Sequence, residues 1–153
     1  MCEGFTPWER LTFDGNRVFT KIDYLFPTGS YKDRGATVLM SKMKEWGIQQ
    51  VVEDSSGNAG SAIAAYSAKA GIGCEIYVPR HTSSEKTVQI QAYGATLKRV
   101  QGSREKTAEA AMEAASKIPY ASHCWNPFFL HGTKTFAFEV WEQMNWKAPD
   151  VLV

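Results

Sequence analysis

Lys32 stands in the run Pro27-Thr28-Gly29-Ser30-Tyr31-Lys32-Asp33-Arg34-Gly35-Ala36. Gly29 and Ser30 are turn and cap residues, and Ala36, Leu39, Met40 and Met43 recur at helical spacing behind them. The spacing predicts that Lys32 sits at a helix N-terminus. The positive end of the helix dipole disfavours an ammonium there by roughly 0.3–1 kcal/mol. A lysine pinned in that turn and partly desolvated is pushed towards its neutral, nucleophilic form, which suits Schiff-base formation with a carbonyl. An ordinary solvated first-turn lysine is the competing reading.

A second stretch bears on that choice. Glu53-Asp54-Ser55-Ser56-Gly57-Asn58-Ala59-Gly60 follows Val51-Val52 and precedes the small-residue run from Ala62 to Ala70. It reads as strand, tight turn and helix start. Backbone N–H groups at such a start, with the hydroxyls of Ser55 and Ser56, make a nest for a carboxylate or phosphate. The Asn58 amide can donate to an oxyanion and tolerates a left-handed turn. A plain Ser/Asn-capped turn explains the same residues taken alone.

The two motifs in this order, with Asn58 26 positions after Lys32, resemble the fold-type II pyridoxal-phosphate enzymes, most of all their threonine synthase-like branch. Gly4-Phe5-Thr6-Pro7, Tyr93-Gly94-Ala95, Asn126-Pro127-Phe128-Phe129 and Gly132-Thr133-Lys134-Thr135 agree with it. The resemblance implies a lyase or synthase acting on a β- or γ-substituted amino acid, as in conversion of O-phosphohomoserine to threonine and phosphate. It implies pyridoxal 5'-phosphate on Lys32, Tyr31 (where relatives carry Phe) against the pyridine ring, and Asn58 on the ring oxygen. Ser55, Ser56, Gly57, Asn58 and Ala59 would receive the substrate carboxylate. Asp33 and Arg34 would be structural, a helix charge and a salt-bridge partner.

The same resemblance raises a doubt about phosphohomoserine. Phe129 stands where relatives place an arginine for the leaving phosphate, unless Arg80, Lys86, His131 or Lys134 turns inward. A dehydratase, a cysteate-synthase-like enzyme, or a catalytically silent domain binding a metabolite or partner are the alternatives. A nucleotide-binding domain fares worse, because Gly71-Ile72-Gly73 lacks a third glycine at the dinucleotide spacing.

Composition bounds the class. With 153 residues, 44% of them hydrophobic, the chain can bury one compact core. A net charge of +1 advertises neither nucleic acid nor an anionic membrane. No apolar run has transmembrane length and the start lacks a signal pattern. Cys2, Cys74 and Cys124 are too scattered for a disulfide framework, which suits a reducing, cytoplasmic compartment. His81, His123 and His131 are likewise scattered, without a carboxylate or thiol constellation, so no metal is expected.

The elements that must position these residues alternate. Thr6 to Leu11 reads as an irregular piece, Asp14-Gly15-Asn16 as a hairpin turn, and Val18 to Asp23 as a strand. A helix then runs from Lys32 to Trp46-Gly47, a strand from Gln50 to Glu53, and a helix from Ala59 to Ala70. Next come a strand Glu75–Val78, a helix opened by a Thr82–Glu85 capping box, and a strand Thr96–Val100. An amphipathic helix through Ala108, Ala111, Met112 and Ala115, a fourth strand Tyr120–His123 and a helix Thr133–Trp146 complete the series. The last helix is expected to bury Phe136, Val140, Trp141 and Met144. Such alternation predicts an α/β fold, a three-layer α/β/α arrangement on a four-stranded parallel sheet, with ligands at the strand C-terminal ends. By the resemblance, 32–146 is the small domain with the Schiff-base lysine at its border. Residues 1–31 are then a remnant of a second, similar, large domain, and 147–153 the start of a return strand to it. The chain is expected to be an inactive fragment of a homodimeric enzyme.

Overall fold

A computed structural model describes residues 4–153, apart from the side chain of Lys86. Cys2 and the Lys86 side chain therefore lie outside the described residues. The chain opens with an antiparallel hairpin, β1 (Trp8–Phe13) and β2 (Asn16–Lys21), in register from Trp8↔Lys21 to Phe13↔Asn16. Asp14 and Gly15 both take positive φ, 48° and 73°, as a two-residue hairpin turn requires. Thr6–Leu11 is thus mostly strand rather than irregular: the turn brings it back against Val18–Lys21, and pairing overrides weak local patterning. A 3₁₀ turn, Asp23–Leu25, leads to the Lys32 loop.

Helix α1 (Lys32–Glu45) buries Ala36, Leu39, Met40 and Met43, the four positions the spacing selects. It ends where expected, with Gly47 at φ 72°. Strand β3 (Gln50–Glu53), helix α2 (Asn58–Ala70), strand β4 (Gly73–Pro79), helix α3 (Ser84–Ala92) and strand β5 (Thr96–Val100) follow. The three strands form one parallel sheet in the order β3-β4-β5. Ser83 occupies the N-cap position of α3, one residue later than a Thr82–Glu85 capping box would place it, and its side chain makes no capping bond.

The fourth strand shrinks to a single parallel bridge, Val52↔Tyr120, with Ala121 N–H donating to the Val52 carbonyl at 2.8 Å. The cause lies one residue on. The Ser122 hydroxyl accepts the backbone N–H groups of Cys124 and Trp125, both at 3.2 Å, and turns the chain away before a ladder can form.

Helices lie on both faces of the sheet. Val51, Cys74, Ile76 and Val78 pack with residues of α1 and α2 in one apolar cluster. On the opposite face Val52 is buried, and Asp54 meets Arg104 at the start of α4 (Arg104–Ala114). In α4 only Thr107 and Ala111 are buried, whereas Met112 is exposed.

The helix expected over Thr133–Trp146 is the shorter α6 (Thr135–Gln143), and an unexpected helix, α5 (Pro127–Thr133), precedes it, the two meeting at Lys134. Asn126 caps α5 by accepting the Phe128 N–H at 3.0 Å, ahead of Pro127 at N1. Of the four residues expected to be buried here, Val140 is buried and Phe136 and Met144 are half-buried, whereas Trp141 is exposed and Glu139 is buried instead. Residues 147–153 carry no regular structure. No helix among the described residues is long and apolar enough to cross a membrane.

Candidate active site

Lys32 is the first residue of α1, half-buried, and its main-chain N–H donates to Ser30 Oγ at 3.1 Å. Its Nζ lies 5.8 Å from the Tyr31 ring centre, and among the described residues no carboxylate pairs with it. The next residue is held tightly. Asp33 is fully buried and accepts both the backbone N–H of Thr28 (2.9 Å) and the Thr28 hydroxyl. Burial pushes the Asp33 carboxyl up, while the Thr28 bonds pull it down. The loop before Lys32 is thereby closed onto its own helix.

Arg34, with no exposed surface, anchors the same turn from behind. Its guanidinium donates to Asp23 (Nε and Nη2, both 2.8 Å), to Glu139 (2.5 and 3.0 Å), to Thr6 Oγ and to Thr135 Oγ. Lys21 Nζ meets Glu139 at 2.7 Å. Two cations and two carboxylates thus balance inside one cluster, which joins the N-terminal segment, α1 and α6. Burial works against the charge on Arg34, but the bonds to Asp23 and Glu139 outweigh it and raise its pKa. For Glu139 burial again acts upward, and the bonds from Arg34 and Lys21 win, bringing it down to about 2. Arg34 is therefore a salt-bridge residue, as its place in the motif suggests. Glu139 could not be foreseen, since its surroundings in sequence are aromatic and apolar.

Glycines let the backbones meet here. A Cβ on Gly35 would overlap the Phe129 ring, and one on Gly132 would overlap the Arg34 carbonyl. Phe129 is accordingly a core residue, 1% exposed. Its ring packs over Gly35 where α5 seats on α1. Arg80, His131 and Lys134 all lie on the surface, Arg80 bonded to Gln101 at 3.0 Å and His131 beside Phe128. None of the three turns inward.

The second motif leaves β3 at its C-terminal end. Gly57 is the N-cap of α2 and supplies no side-chain acceptor, so the first N–H groups of the helix, at Asn58 and Ala59, keep open valences. Ser55 and Ser56 are half-buried, and Gly57 and the Asn58 side chain are exposed. The loop is compact: a Cβ on Gly60 would overlap the Ser55 carbonyl oxygen. Such an uncapped N-terminus fits a carboxylate or a phenolate oxygen.

Helix α3 joins the two motifs. Gln89 Nε2 donates to the Thr28 carbonyl (3.3 Å) and the Tyr93 hydroxyl to the Pro27 carbonyl (3.1 Å). Ile90 Cδ1 lies 3.2 Å from where a Gly60 Cβ would stand. The Lys32 loop and the Ser55–Asn58 loop are therefore held against one helix, and α1 packs along α2. Tyr31 is partly exposed, its ring edge-on to Phe136 and its hydroxyl donating to the Thr133 carbonyl at 3.1 Å.

A cluster that sequence reasoning missed lies beside this loop. Glu53, fully buried, holds His123 Nδ1 at 2.5 Å, and its Oε2 has no partner. Burial pushes the Glu53 carboxyl up, against the pull of His123. Asp54 accepts the Tyr120 hydroxyl at 2.5 Å and pairs with Arg104 at 2.6 Å. Burial and the bond to Asp54 raise the Tyr120 hydroxyl's pKa. His123 and Asp54 line a groove of about 320 Å³ with Trp125 and Met112, and neither Lys32 nor Asn58 lines it. His123 is thus not without a carboxylate partner. The Glu-Asp doublet ahead of Ser55 was the available signal.

A parallel α/β layer with a lysine at one helix start and an uncapped helix start beside it is compatible with Schiff-base chemistry. The chain belongs to the family described as pyridoxal-phosphate dependent enzyme, which matches residues 1–153. It is 35% identical over 160 residues to the threonine synthase of Methanocaldococcus jannaschii, covering 100% of this chain and 40% of that one. Among solved structures it is similar to O-ureido-L-serine synthase (28% identity, TM-score 0.84), with 95% of this chain and 50% of that one covered. It is also similar to a pyridoxal 5'-phosphate-dependent aspartate racemase (27%, TM-score 0.81), with 92% and 46% covered. The chain thus spans less than half the length of the threonine synthase it matches.

Proposed function

We propose that this chain is the lysine-bearing part of a pyridoxal-phosphate lyase or synthase that acts on a β- or γ-substituted amino acid, threonine synthase being the nearest type. The carrying observation is Lys32 itself: half-buried at a helix start, its loop locked by Asp33 and Arg34, its Nζ free of any carboxylate among the described residues. The cofactor would be held covalently by Lys32 and would supply an electron sink that acidifies the substrate α-carbon. Lys32 Nζ, once released, would carry the proton to or from that carbon. Asn58 would donate its amide to the cofactor's ring oxygen, and Tyr31 would lie against the ring. The N–H groups of Asn58 and Ala59, with Ser55, Ser56 and Gly57, would orient the substrate carboxylate.

The substrate is left between phosphohomoserine and other amino acids. The names of the similar structures cover both a synthase and a racemase, and Phe129 supplies no cation for a leaving phosphate while Arg80, His131 and Lys134 stay on the surface. A homodimer and a cytoplasmic location accompany the reading. Borohydride reduction of the cofactor-loaded protein, as its gene encodes it, followed by peptide mapping, is the test. The adduct is expected on Lys32. Label on Lys21 or Lys42 instead, or none on a folded protein, overturns the reading and favours a catalytically silent binding domain.

A further inference from the structure

Helix α3 touches both motifs with one stretch of side chains, and no step above uses them. Gln89 and Ile90 lie in its last turn and Tyr93 is its C-cap, three positions that share one side of the helix, an arc of about 100°. Gln89 Nε2 donates to the Thr28 carbonyl at 3.3 Å, and the Tyr93 hydroxyl to the Pro27 carbonyl at 3.1 Å. Ile90, with no exposed surface, faces the other motif, its Cδ1 3.2 Å from where a Gly60 Cβ would stand.

Thr28 is the junction. Its N–H and its hydroxyl are taken by Asp33, the neighbour of Lys32 on α1, and its carbonyl by Gln89. One residue thus commits two polar groups to the lysine helix and a third to α3. Between Thr28 and Lys32 the chain passes through Gly29 at φ 72°, a residue about which a loop readily pivots. Asp33 fixes the loop on its inner side. Gln89 and Tyr93 tie it to the part of the molecule that carries Ser55–Asn58. Both bonds lie near the surface, Gln89 half-buried and Pro27 exposed, so water can replace either donor and their net worth to folding is small. What they govern is placement.

From this geometry we infer that Gln89 and Tyr93 are positioning residues, which act through the Thr28 and Pro27 carbonyls to hold the Lys32 loop in register with the Ser55–Asn58 loop. The inference rests on the function proposed above. Helix α3 is then the spacer between the reacting amine and the nest for the substrate carboxylate. The carbon from which Lys32 Nζ takes a proton is bonded to that carboxylate, so the separation of lysine and nest decides whether the proton is within reach. A displacement of about 1 Å at such a centre costs on the order of 10²-fold in rate.

The variant Gln89→Met/Tyr93→Phe removes both donors and nearly conserves side-chain volume. In the cofactor-free protein, as its gene encodes it, hydrogen exchange followed by NMR should show the Thr28, Gly29 and Lys32 amides exchanging at least about tenfold faster, with α2 and β4 unchanged. Unchanged exchange at those three amides overturns the inference. Should the double variant fail to fold, Tyr93→Phe alone is read by the same criterion. In the cofactor-loaded protein the variant should lower kcat by about 10–10²-fold and change KM by less than about threefold, because the carboxylate nest is untouched. The visible circular-dichroism band of the cofactor on Lys32 should weaken as the loop loses its fixed orientation. An unaltered band and kcat, or a loss that falls on KM alone, means bonds that merely brace the fold and overturns this inference alone. A parent protein whose Lys32 takes no cofactor overturns the proposed function itself, and the positioning role with it.

Discussion

Glu139→Gln is the most direct probe of what holds the Lys32 turn in place. Glu139 accepts from Arg34 at 2.5 and 3.0 Å, from Lys21 at 2.7 Å and from the Phe5 N–H at 2.6 Å. These bonds depress its carboxyl from the usual 4.5 to about 2. At about 1.36 kcal/mol for each tenfold change, that gap corresponds to about 3 kcal/mol, which water at the rim near Asp23 reduces to about 2 kcal/mol. The sign follows from linkage. A depressed carboxyl stabilises the fold above its unfolded pKa, and the contribution is lost as pH falls from about 4.5 through about 2. Removing one partner of a buried pair also leaves Arg34 and Lys21 with less compensation, so a loss of about 2–4 kcal/mol is expected at pH 6. Urea unfolding followed by tryptophan fluorescence, from pH 6 down to pH 2, measures it. The two proteins should differ most at pH 6 and converge as the acid limb is descended. A difference under about 0.5 kcal/mol at pH 6, or a gap that stays constant with pH, would refute the reasoning. A nearly neutral Arg34→Met/Glu139→Leu double variant would show that the pair specifies geometry rather than adding net stability.

Other consequences are equally open to measurement. Asn58→Ala should leave thermal unfolding within about 1 kcal/mol of the parent, since its amide is exposed. In the loaded protein it should weaken cofactor retention by about 1.5–3 kcal/mol, the usual worth of a hydrogen bond to a charged group, read from the visible absorption titration. Gly35→Ala should destabilise by at least about 1–3 kcal/mol, because the new methyl overlaps Phe129, and Phe129→Leu in the same chain should recover part of the loss. In a Cys2→Ser background a thiol reagent should label exposed Cys124 at once. Cys74, whose thiol burial pushes up to about 12, should be labelled only on unfolding.

The sequence made the fold legible wherever the pattern is local. The buried stripe of α1, the bounds of β3 and β5 and the glycine stop of α2 at Gly71 all follow from periodicity and turn chemistry that no distant residue overrides. Reading failed where a distant partner decides. Thr6–Leu11 becomes strand because β2 returns to it, and Tyr120–His123 loses its strand because one hydroxyl captures two N–H groups. Burial of Glu139 depends on a guanidinium 105 positions away.

The site divides along the same line. Lys32, Ser55, Ser56 and Asn58 announce themselves because helix starts and anion nests are written within a few residues. Glu53 and His123 do not, since nothing in a single chain tells a reader that residues 70 positions apart share a bond. Yet the doublet Glu53-Asp54 at the end of an apolar strand was an anomaly in its own right. A carboxylate placed where the strand pattern demands burial must find a cation, a donor or a proton. Only three histidines occur in this chain, and His123 closely follows Tyr120, the residue that bridges to Val52 of β3. Asking which group satisfies an acid at a strand's buried end would have led from Glu53 to His123, and so to the groove beside the loop.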